Sequence, residues 1–403
     1  MTARVTRDDV VAFRLAAHGL AARAPAGDLA VVAGRCGVQD SPPGSALLAL
    51  HARAEGVTRE GVDAALGEER SLLRTWAMRG APCVVPTADA AAFTAGVLPP
   101  AEEARRHLLL GVGPSLDRLG LSLTDAVDLT RAELRGVLAG RRLAIGELGA
   151  ELAARIAPGL PSARRAVWEA EGPYAAGQPL GEGVVHFCLR VLTLEGVLCF
   201  APRDGNQAPF VLVDEWLGHP LPEVDPAAAR ADLLRRYLHC YGPTTRAAFA
   251  TWAGVRAGDV GPWWDEVADE LAPVEVAPAA GGRASRGWLL ADDVDALASA
   301  AMPTGVRLLP PRDPYTQLRD RATIVAKEHH RAVWAPVGDP GTVLVDGEVA
   351  GTWRPRAKGS RLTLAVTTFG RLPDRATALL NDEAVQVAAL RGSSTVDVEL
   401  TTA

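Results

Sequence analysis

Residues 226–291 decide the predicted fold class, and they read PAAARADLLRRYLHCYG (226–242), TTRAAFATWAG (244–254), RAGDVGPWWDEVADEL (256–271), APVEVA (272–277) and GWLLA (287–291). The first three stretches predict helices, of which Gly254 can close the second and Gly261-Pro262 breaks the third. The last two predict short strands that turn at Gly281-Gly282. Three helices followed by a two-stranded wing are typical of a winged helix, an elaboration of the helix-turn-helix.

Two stretches upstream repeat this arrangement of helices and a strand pair. Residues 1–97 hold three helix candidates and then the strand candidates LLRTWAMR and PCVVP. Residues 98–220 hold three helix candidates and then an apolar pair, VLCFAP and APFVLV, around the turn signal RDGNQ at 203–207. The stretch quoted above belongs to the third and clearest unit, residues 221–302.

From residue 303 onward, strand-like runs dominate the sequence. The strand candidates are GVRLLP, RAVWAPV, TVLVDG, EVAGTW and RLTLAVTTF. The tetrapeptide at 345–348 predicts a hairpin turn, and DRATALLNDEAVQVAAL predicts a helix before the closing strand VDVEL. We therefore predict an α+β fold of three tandem winged-helix units, followed by a C-terminal β-rich subdomain at residues 303–403.

The composition excludes several classes of protein. With 48% hydrophobic and 22% charged side chains, the chain of 403 residues can bury a sizeable core and is not wholly disordered. No apolar run approaches the roughly 18 residues of a membrane span. The charged N-terminal stretch has no signal-peptide core, and Thr6 with Asp9 predicts a helix capping box in it. We therefore expect a cytoplasmic protein with no membrane partner.

The cysteines predict neither a metal site nor a disulfide framework. They are Cys36, Cys83, Cys188, Cys199 and Cys240. None forms a C-x-x-C pair, so we interpret them as small buried hydrophobic residues. The sequence also lacks a P-loop, a dinucleotide-binding fingerprint and paired histidines at helical spacing. No metal and no cofactor are therefore expected.

The charge of the chain is uneven. The net charge is −6, yet residues 303–375 hold twelve basic and seven acidic side chains, an excess of five positive charges. Such a segment could neutralise several DNA phosphates, although a solvated surface of mixed charge fits it equally well. Trp334 and Trp353 lie in the same segment. We expect both to pack in the core rather than to stack on bases.

A short polar stretch in the first unit, GVQDSPPG at residues 37–44, carries the candidate chemistry. Gln39 can position a water molecule or a base edge, and Asp40 can act as a general base or stabilise a developing cation. Ser41 can donate or accept a hydrogen bond. The alternative interpretation is structural, because Asp-Ser before a helix is a common N-cap.

The strand candidate at 72–79 carries a second set of candidate residues. Arg74, Trp76 and Met78 would share one face of the strand, and Arg79 follows at its end. A tryptophan between arginines at a hairpin could stack against DNA or grip a phosphate. A half-buried hairpin is the alternative.

The chain resembles the bacterial winged-helix proteins that include the crosslink-unhooking DNA glycosylases of the AlkZ/YcaQ type. The segments that carry the resemblance are GVQDSPPGSALLALHAR, RSLLRTWAMRGAPCVVPTAD, GVLCFAPRDGNQAPFVLVDEW, YGPTTRAAFATWAGV, RLLPPRDPYTQLRDR, VLVDGEVAGTWR and ALLNDEA, spread from residue 37 to 384. The resemblance implies three tandem winged helices, DNA binding, and hydrolysis of the N-glycosidic bonds of alkylated purines without a metal or cofactor. Some members protect a producer against its own DNA-alkylating product, and others serve general repair.

The resemblance also assigns roles to the polar stretch. The family's catalytic motif is Gln-x-Gln or Gln-x-Asp, and Gln39 matches its first position, whereas Ser41 departs at the second. Asp40 takes the intervening position, which is usually apolar in the family. We expect Gln39 to position water, Asp40 to supply electrostatic stabilisation and Ser41 to assist. Cys83 is a further departure, because family members often carry a histidine in that strand.

These observations predict a monofunctional DNA glycosylase that acts on cationic N7-alkylated purines in double-stranded DNA, including bulky adducts or interstrand crosslinks. We expect a monomer that works at the nucleoid and serves either self-resistance to a DNA-alkylating product or general repair. The expected DNA contacts are Arg74, Trp76, Arg79, Arg319, Arg321 and Arg354. The alternatives are a non-catalytic DNA-binding protein, either a lesion binder or a transcriptional regulator, and a winged-helix protein that contacts only protein.

Overall fold

A computed structural model describes residues 3–203, 205, 207–277 and 284–403. Helices and small sheets alternate along these residues, which confirms the predicted α+β class. Asp204 and Asn206 of the predicted turn at 203–207 lie outside the described residues, as does the predicted turn at Gly281-Gly282. No helix among the described residues is both long and apolar enough to cross a membrane.

The α-helices are joined in many places by short 3-10 turns. In chain order the described helices are α1 Arg7–Ala17, α2 Leu29–Gly34, α3 Ser45–His51, α4 Arg59–Gly67, α5 Ala90–Phe93, α6 Glu102–Leu108, α7 Gly113–Leu119, α8 Leu123–Leu138, α9 Ile145–Ile156, α10 Ser162–Glu169, α11 Leu180–Leu194, α12 Val213–Leu217, α13 Pro226–Tyr241, α14 Arg246–Ala253, α15 Gly261–Trp264, α16 Val294–Ser299, α17 His330–Val333 and α18 Asp374–Leu390.

The strands are mostly short and belong to small sheets. In chain order the described strands are β1 Ala3–Val5, β2 Val38–Gln39, β3 Leu72–Trp76, β4 Pro82–Pro86, β5 Leu198–Phe200, β6 Phe210–Leu212, β7 Leu271–Val276, β8 Ser285–Leu290, β9 Val306–Leu309, β10 Gly341–Val345, β11 Glu348–Lys358, β12 Arg361–Thr368 and β13 Thr395–Thr402.

The chain folds into two compact units. Unit 1 comprises Met1–Ala64, Leu234–Trp252 and Val267–Ala403, and unit 2 comprises Ala65–Leu233 and Ala253–Glu266. Unit 1 is therefore built from both ends of the chain, and unit 2 is inserted into it. The four predicted domain boundaries stay a prediction, because compactness does not locate the first and last residues of a winged-helix unit.

A five-stranded sheet in the order β13-β12-β11-β10-β9 dominates the C-terminal part of unit 1. Asp346 (φ 50°) and Gly347 (φ 88°) form the predicted tight turn between β10 and β11, as a hairpin turn with two left-handed residues requires. Helix α18 then carries the chain back, so β13 pairs in parallel with β12. The strand predicted at 331–337 is wrong, because α17 occupies its start, and short apolar runs do not separate strand from helix.

The second sheet of unit 1 contains the predicted wing. Strands β7 and β8 are antiparallel, and β1 pairs in parallel with β7, which the sequence did not predict. Helix α1 follows β1 and begins with the predicted capping box, in which the amide of Thr6 donates to the Asp9 carboxylate (2.8 Å) and the amide of Asp9 donates to the Thr6 hydroxyl (3.2 Å).

Unit 2 is organised around an aliphatic core. Helices α8, α9 and α11 pack together, and Leu148, Leu152 and Leu189 are among the side chains fully enclosed between them. The antiparallel pair β5–β6 confirms the predicted apolar strand pair. The antiparallel hairpin β3–β4 is also as predicted, but β3 ends at Trp76. Met78 does not share its face, because it lies in a 3-10 turn.

Candidate active site

The candidate catalytic stretch lies between two glycines whose backbone is left-handed. Gly37 has φ 71° and Gly44 has φ 85°, a region of backbone conformation that glycine adopts without steric cost. Between them the chain passes through the two residues of β2 and then turns into α3. The residues from Gln39 to Ser41 therefore occupy the junction between a short extended segment and a helix of unit 1.

Gln39 is buried, with 6% of its side chain exposed. The side-chain nitrogen Nε2 lies 3.5 Å from the carbonyl oxygen of Ser41, so the side chain bends toward the backbone two residues further along. A carboxamide offers both a donor and an acceptor. A fixed carboxamide can therefore orient a water molecule by donating to it or accepting from it, whereas an ammonium group can only donate.

Asp40 is more deeply buried, with 2% exposed, and it holds the start of α3. Its Oδ1 accepts hydrogen bonds from the backbone amides of Gly44 (3.0 Å) and Ala46 (3.4 Å). This geometry supports the structural interpretation of Asp40 as a helix cap. It also fixes the direction of the carboxylate, because two amides of the helix terminus hold one oxygen in place. Ser41 follows at a partly exposed position.

The fold also brings together three residues, distant from one another in sequence, that the sequence analysis did not select as site residues. His18 Nδ1 lies 3.6 Å from the Sγ of Cys36, and Cys240 belongs to the same buried cluster. The hydrogen bond from Cys240 lowers the pKa of the Cys36 thiol well below its usual value, and the same bond raises the pKa of Cys240. Their separation in sequence explains why no local motif could reveal them.

A buried ion pair lies against the same cluster. The guanidinium of Arg53 forms two hydrogen bonds with the carboxylate of Asp313, at 2.8 and 2.6 Å, and both side chains are at least 98% buried. Arg53 also donates to the carbonyl oxygens of His18 and Ala49, both at 2.9 Å. Four of the five N–H donors of the guanidinium are used in these bonds, which limits the cost of desolvating the pair.

A second buried charge cluster joins α18 to the N-terminal helices of unit 1. Glu383 accepts from Arg23 at 2.6 Å, and His51 Nε2 lies 3.6 Å from its other oxygen. Burial opposes ionisation of Glu383, but the interactions with His51 and Arg23 outweigh it, so the pKa of Glu383 lies below its usual value. The carboxylate is therefore ionised throughout the neutral range.

The predicted DNA contacts of unit 2 lie on the β3–β4 hairpin. Arg74 is a half-buried residue of β3, and Arg79 occupies the turn with φ 58°. The ring of Trp76 packs edge-on against Phe200 (5.2 Å between centroids) and Phe210 (5.1 Å). This packing is that of a half-buried hairpin, so contact of Trp76 with DNA stays a prediction.

The predicted DNA contacts of unit 1 are all exposed. Arg319 donates to the carbonyl oxygen of Ala247 at 3.3 Å, and the guanidinium of Arg321 lies 4.6 Å from the ring centroid of Trp334. Arg354 projects from β11. Within the described part of the chain, these three arginines make no ion pair with a carboxylate. No neighbouring carboxylate of the described residues therefore offsets their charge at the surface.

The two tryptophans of this segment pack as expected. Trp353 is 1% exposed and donates to the carbonyl oxygen of Leu309 at 2.8 Å. Trp334 is half-buried and donates to the carbonyl oxygen of Thr316 at 3.1 Å. Both rings belong to the body of unit 1, which confirms the prediction that they serve packing.

Comparison with known proteins places this geometry in a family. The profile of the DNA glycosylase AlkZ-like family matches residues 32–390, a range that includes the candidate stretch and the Arg53–Asp313 pair. The chain belongs to the AlkZ-like DNA glycosylase family. It is therefore a hydrolase that acts on N-glycosyl bonds in DNA.

This AlkZ-like glycosylase is similar, in sequence and in structure, to glycosylase from Streptomyces sahachiroi. A curated protein named "Interstrand DNA cross-link repair glycosylase" is 29% identical over 409 aligned residues, which cover 97% of this chain and 98% of the relative. The solved structure of the DNA glycosylase AlkZ from the same organism is 27% identical and superimposes with a TM-score of 0.74 over 100% of both chains.

One further arginine of the AlkZ-like glycosylase was missed by the sequence analysis. The guanidinium of Arg190 lies 5.9 Å from the ring centroid of Trp76, and a Cβ at Gly80 would come within 2.3 Å of it. Burial lowers the pKa of Arg190, and no carboxylate among the described residues pairs with it. It lies in the middle of the apolar helix α11, where sequence alone gave no reason to single it out.

Proposed function

We propose that this glycosylase hydrolyses the N-glycosidic bond of cationic N7-alkylated purines in double-stranded DNA, including bulky adducts and interstrand crosslinks. The observation that carries the proposal is the buried Gln39-Asp40 pair at the start of α3, held within a chain that matches the family from residue 32 to 390. The name of the relative from Streptomyces sahachiroi specifies interstrand crosslink repair, which supports the choice of substrate.

The chemistry of the substrate explains why two such groups suffice. An N7-alkylated purine already carries positive charge, so it leaves without being protonated and needs no general acid. What remains is to place a water molecule opposite the leaving base and to stabilise the positive sugar that forms. The carboxamide of Gln39 orients the water. The Asp40 carboxylate, fixed by the amides of Gly44 and Ala46, supplies the negative charge, and the Ser41 hydroxyl assists.

The DNA would be contacted by arginines and one tryptophan. Arg74, Trp76 and Arg79 are the proposed contacts of the unit 2 hairpin, and Arg319, Arg321 and Arg354 are those of the unit 1 surface. The exposure of the last three, without carboxylate partners among the described residues, supports this assignment. Each phosphate neutralised by an arginine releases counterions, so binding should weaken as salt rises.

We also propose the finer architecture and setting of the enzyme. Its α+β fold would comprise three winged-helix units, at residues 1–97, 98–220 and 221–302, and a β-rich subdomain at 303–403. The enzyme would act as a monomer at the nucleoid and protect its host from a DNA-alkylating natural product. Expression in a sensitive host should raise survival under a crosslinking agent, and a Gln39→Ala variant should not.

The catalytic proposal is tested by single-turnover excision from duplex DNA containing N7-methylguanine and from a nitrogen-mustard crosslink. Heating the products in alkali cleaves abasic sites. Gln39→Ala should abolish excision and keep DNA affinity, whereas Gln386→Ala, an exposed glutamine on α18, should leave both unchanged. Unchanged excision by Gln39→Ala would refute the assignment. Tight binding without excision by the unaltered protein would favour the non-catalytic lesion binder that the departure at Ser41 suggests.

The proposed DNA contacts are tested by the salt dependence of binding. Arg354→Gln should weaken binding and reduce the slope of log K against log salt by about 1. Arg361→Gln is the matched control. Arg361 lies on β12, next to the strand of Arg354, but it is already paired with Asp397. Equal effects of the two substitutions would show that Arg354 does not contact a phosphate.

A further inference from the structure

A cluster of metal-ligand side chains lies in unit 1 and plays no part in the chemistry described above. His18 follows the C-terminus of α1, Cys36 lies between α2 and β2, and Cys240 lies in α13. All three side chains are at least 95% buried. One ligand atom from each residue lies within 4.8 Å of the others, and among the described residues no second group of this kind occurs.

We propose that His18, Cys36 and Cys240 form a structural zinc site. Zinc binds thiolate sulfur at about 2.3 Å and imidazole nitrogen at about 2.0 Å, and its structural sites are tetrahedral. Those lengths place a sulfur and a nitrogen ligand about 3.6 Å apart. His18 Nδ1 and Cys36 Sγ are 3.6 Å apart. This pair therefore has the spacing of two zinc ligands, and all three ligand atoms lie within 4.8 Å of one another.

The identity of the ligands selects the class of metal. Two thiolates and an imidazole suit zinc and do not suit magnesium or calcium, which prefer oxygen ligands. The Cys240 thiol donates to the carbonyl oxygen of Arg35 at 3.5 Å, so a main-chain oxygen lies beside one of the three ligands. With two thiolates the divalent ion is neutralised, so the buried site carries no net charge.

The environment of His18 leaves the correct nitrogen for a metal. Its Nε2 is buried without a hydrogen-bond partner among the described residues. The rings of Tyr241 and Tyr315 meet the imidazole edge to face, at 4.8 and 5.5 Å between centroids. An N–H at Nε2 can point toward these aromatic rings, which accept it weakly. Nδ1 then keeps its lone pair, and that is the atom that faces Cys36.

The cysteines of unit 2 provide the contrast that the proposal needs. Cys188 and Cys199 are equally buried, but neither lies in a group of metal-ligand side chains. Burial raises the pKa of each thiol to about 12. They behave as small hydrophobic residues, as the sequence analysis expected for every cysteine of the chain, and they serve as internal controls.

A zinc ion at this place would act on the candidate active site through the backbone. Cys36 precedes Gln39 by three residues, so the ion would join α1, α13 and the segment that leads into Gln39. Structural zinc contributes directly to folding stability. The proposal does not depend on the substrate of the enzyme, and its test does not use activity.

The experiment measures zinc in the full chain purified without a metal-affinity tag. Native mass spectrometry and elemental analysis should find about one zinc per chain. Cys36→Ala and Cys240→Ala should lose it, and Cys188→Ala and Cys199→Ala should retain it. Cobalt exchanged into the unaltered protein should show a thiolate-to-cobalt charge-transfer band, which should be absent from Cys36→Ala.

Two results would overturn the proposal without relying on the folding of any variant. The first is an unaltered protein that binds no zinc when supplied with it. The second is a disulfide between Cys36 and Cys240, seen as a crosslinked peptide in the unaltered protein. Alkylation with and without a chelator provides the supporting measurement in the same protein, because zinc should protect Cys36 and Cys240 until the chelator removes it.

Discussion

The two units of the molecule bury different chemistry. Unit 1 encloses charged side chains, among them the Arg53–Asp313 pair and Glu383. The core of unit 2 between Leu109 and Leu212 is apolar and includes the Cys188 thiol, and the charged Arg230 is buried elsewhere in this unit. Ion pairs of unit 2 such as Arg141–Glu151 lie at the surface, with 46% and 43% of the side chains exposed.

This difference affects how uniquely each unit adopts one conformation more than it affects the stability of the unit. A buried ion pair adds little over a well-packed apolar pair, but it is costly to break, because the remaining charge stays buried without a partner. It also permits few alternative arrangements. Gln39 and Asp40 lie in the unit that contains such pairs, and their side chains must be held in one direction to orient water.

The largest effect is expected when the Arg53–Asp313 pair is broken. Asp313→Ala leaves the guanidinium buried without a carboxylate, which should destabilise unit 1 by about 3–5 kcal/mol. Hydrogen exchange followed by mass spectrometry in urea would measure each unit separately. Loss of protection throughout unit 2, with unit 1 intact, would contradict the expectation that the buried ion pair stabilises unit 1.

A smaller, pH-dependent effect is expected at Glu383. Its pKa in the folded protein is lowered, so its contribution is complete above the ordinary pKa of about 4.5 and is lost as the pH falls through the folded value. Glu383→Gln should lower stability by about 1.5–3 kcal/mol at pH 7. The difference between variant and unaltered protein, measured in urea titrations, should shrink as the pH falls below the ordinary pKa of about 4.5. A difference independent of pH would show that the charge of Glu383 is not what stabilises the fold.

Two substitutions of Asp40 should distinguish its structural role from its catalytic role. Asp40→Ala removes the acceptor for the amides of Gly44 and Ala46 and should cost about 1 kcal/mol of stability. Asp40→Asn keeps an acceptor oxygen and should restore most of that stability. Excision should remain low in both variants, because neither carries the negative charge. If Asp40→Asn recovered full excision in single-turnover assays, Asp40 would be a cap only.

The smallest effect is expected on the surface of unit 2. Arg141→Gln removes an exposed partner of Glu151, and solvent screens such pairs. The urea midpoint of unit 2 should stay unchanged within error. A shift as large as that of Asp313→Ala would end the distinction between the two units.

The sequence predicted those parts of the fold that depend on neighbouring residues. Helix α18 covers the predicted range 374–390, and the capping box of α1 and the turn at Asp346-Gly347 form as expected. Each depends on side chains within a few positions, where propensity and turn chemistry act. The parallel pairing of β1 with β7 depends on residues about 270 positions apart, which no local pattern encodes.

The same limit applies to the candidate site. The sequence identified Gln39, Asp40 and Ser41, but it did not decide whether Asp40 is an N-cap. The structure places Gly44 at the N-cap of α3, and the Asp40 carboxylate accepts from the amides of Gly44 and Ala46. It also missed His18, Cys36 and Cys240, because the cluster assembles only when α1 and α13 meet. Spacing rules find metal sites within one loop or helix, and these ligands come from three separate segments.

The discontinuity of unit 1 has a consequence for how the protein is made. All residues of unit 2 have been synthesised once the ribosome has passed Glu266, whereas unit 1 still lacks Val267–Ala403 at that moment. At cellular rates of translation, that remainder takes on the order of 10 s. During this interval the nascent N-terminal residues, including the stretch around Gln39, lack the part of unit 1 that has not yet been synthesised. The newborn enzyme therefore passes through a stage in which unit 2 can be folded and the candidate catalytic stretch has no finished scaffold.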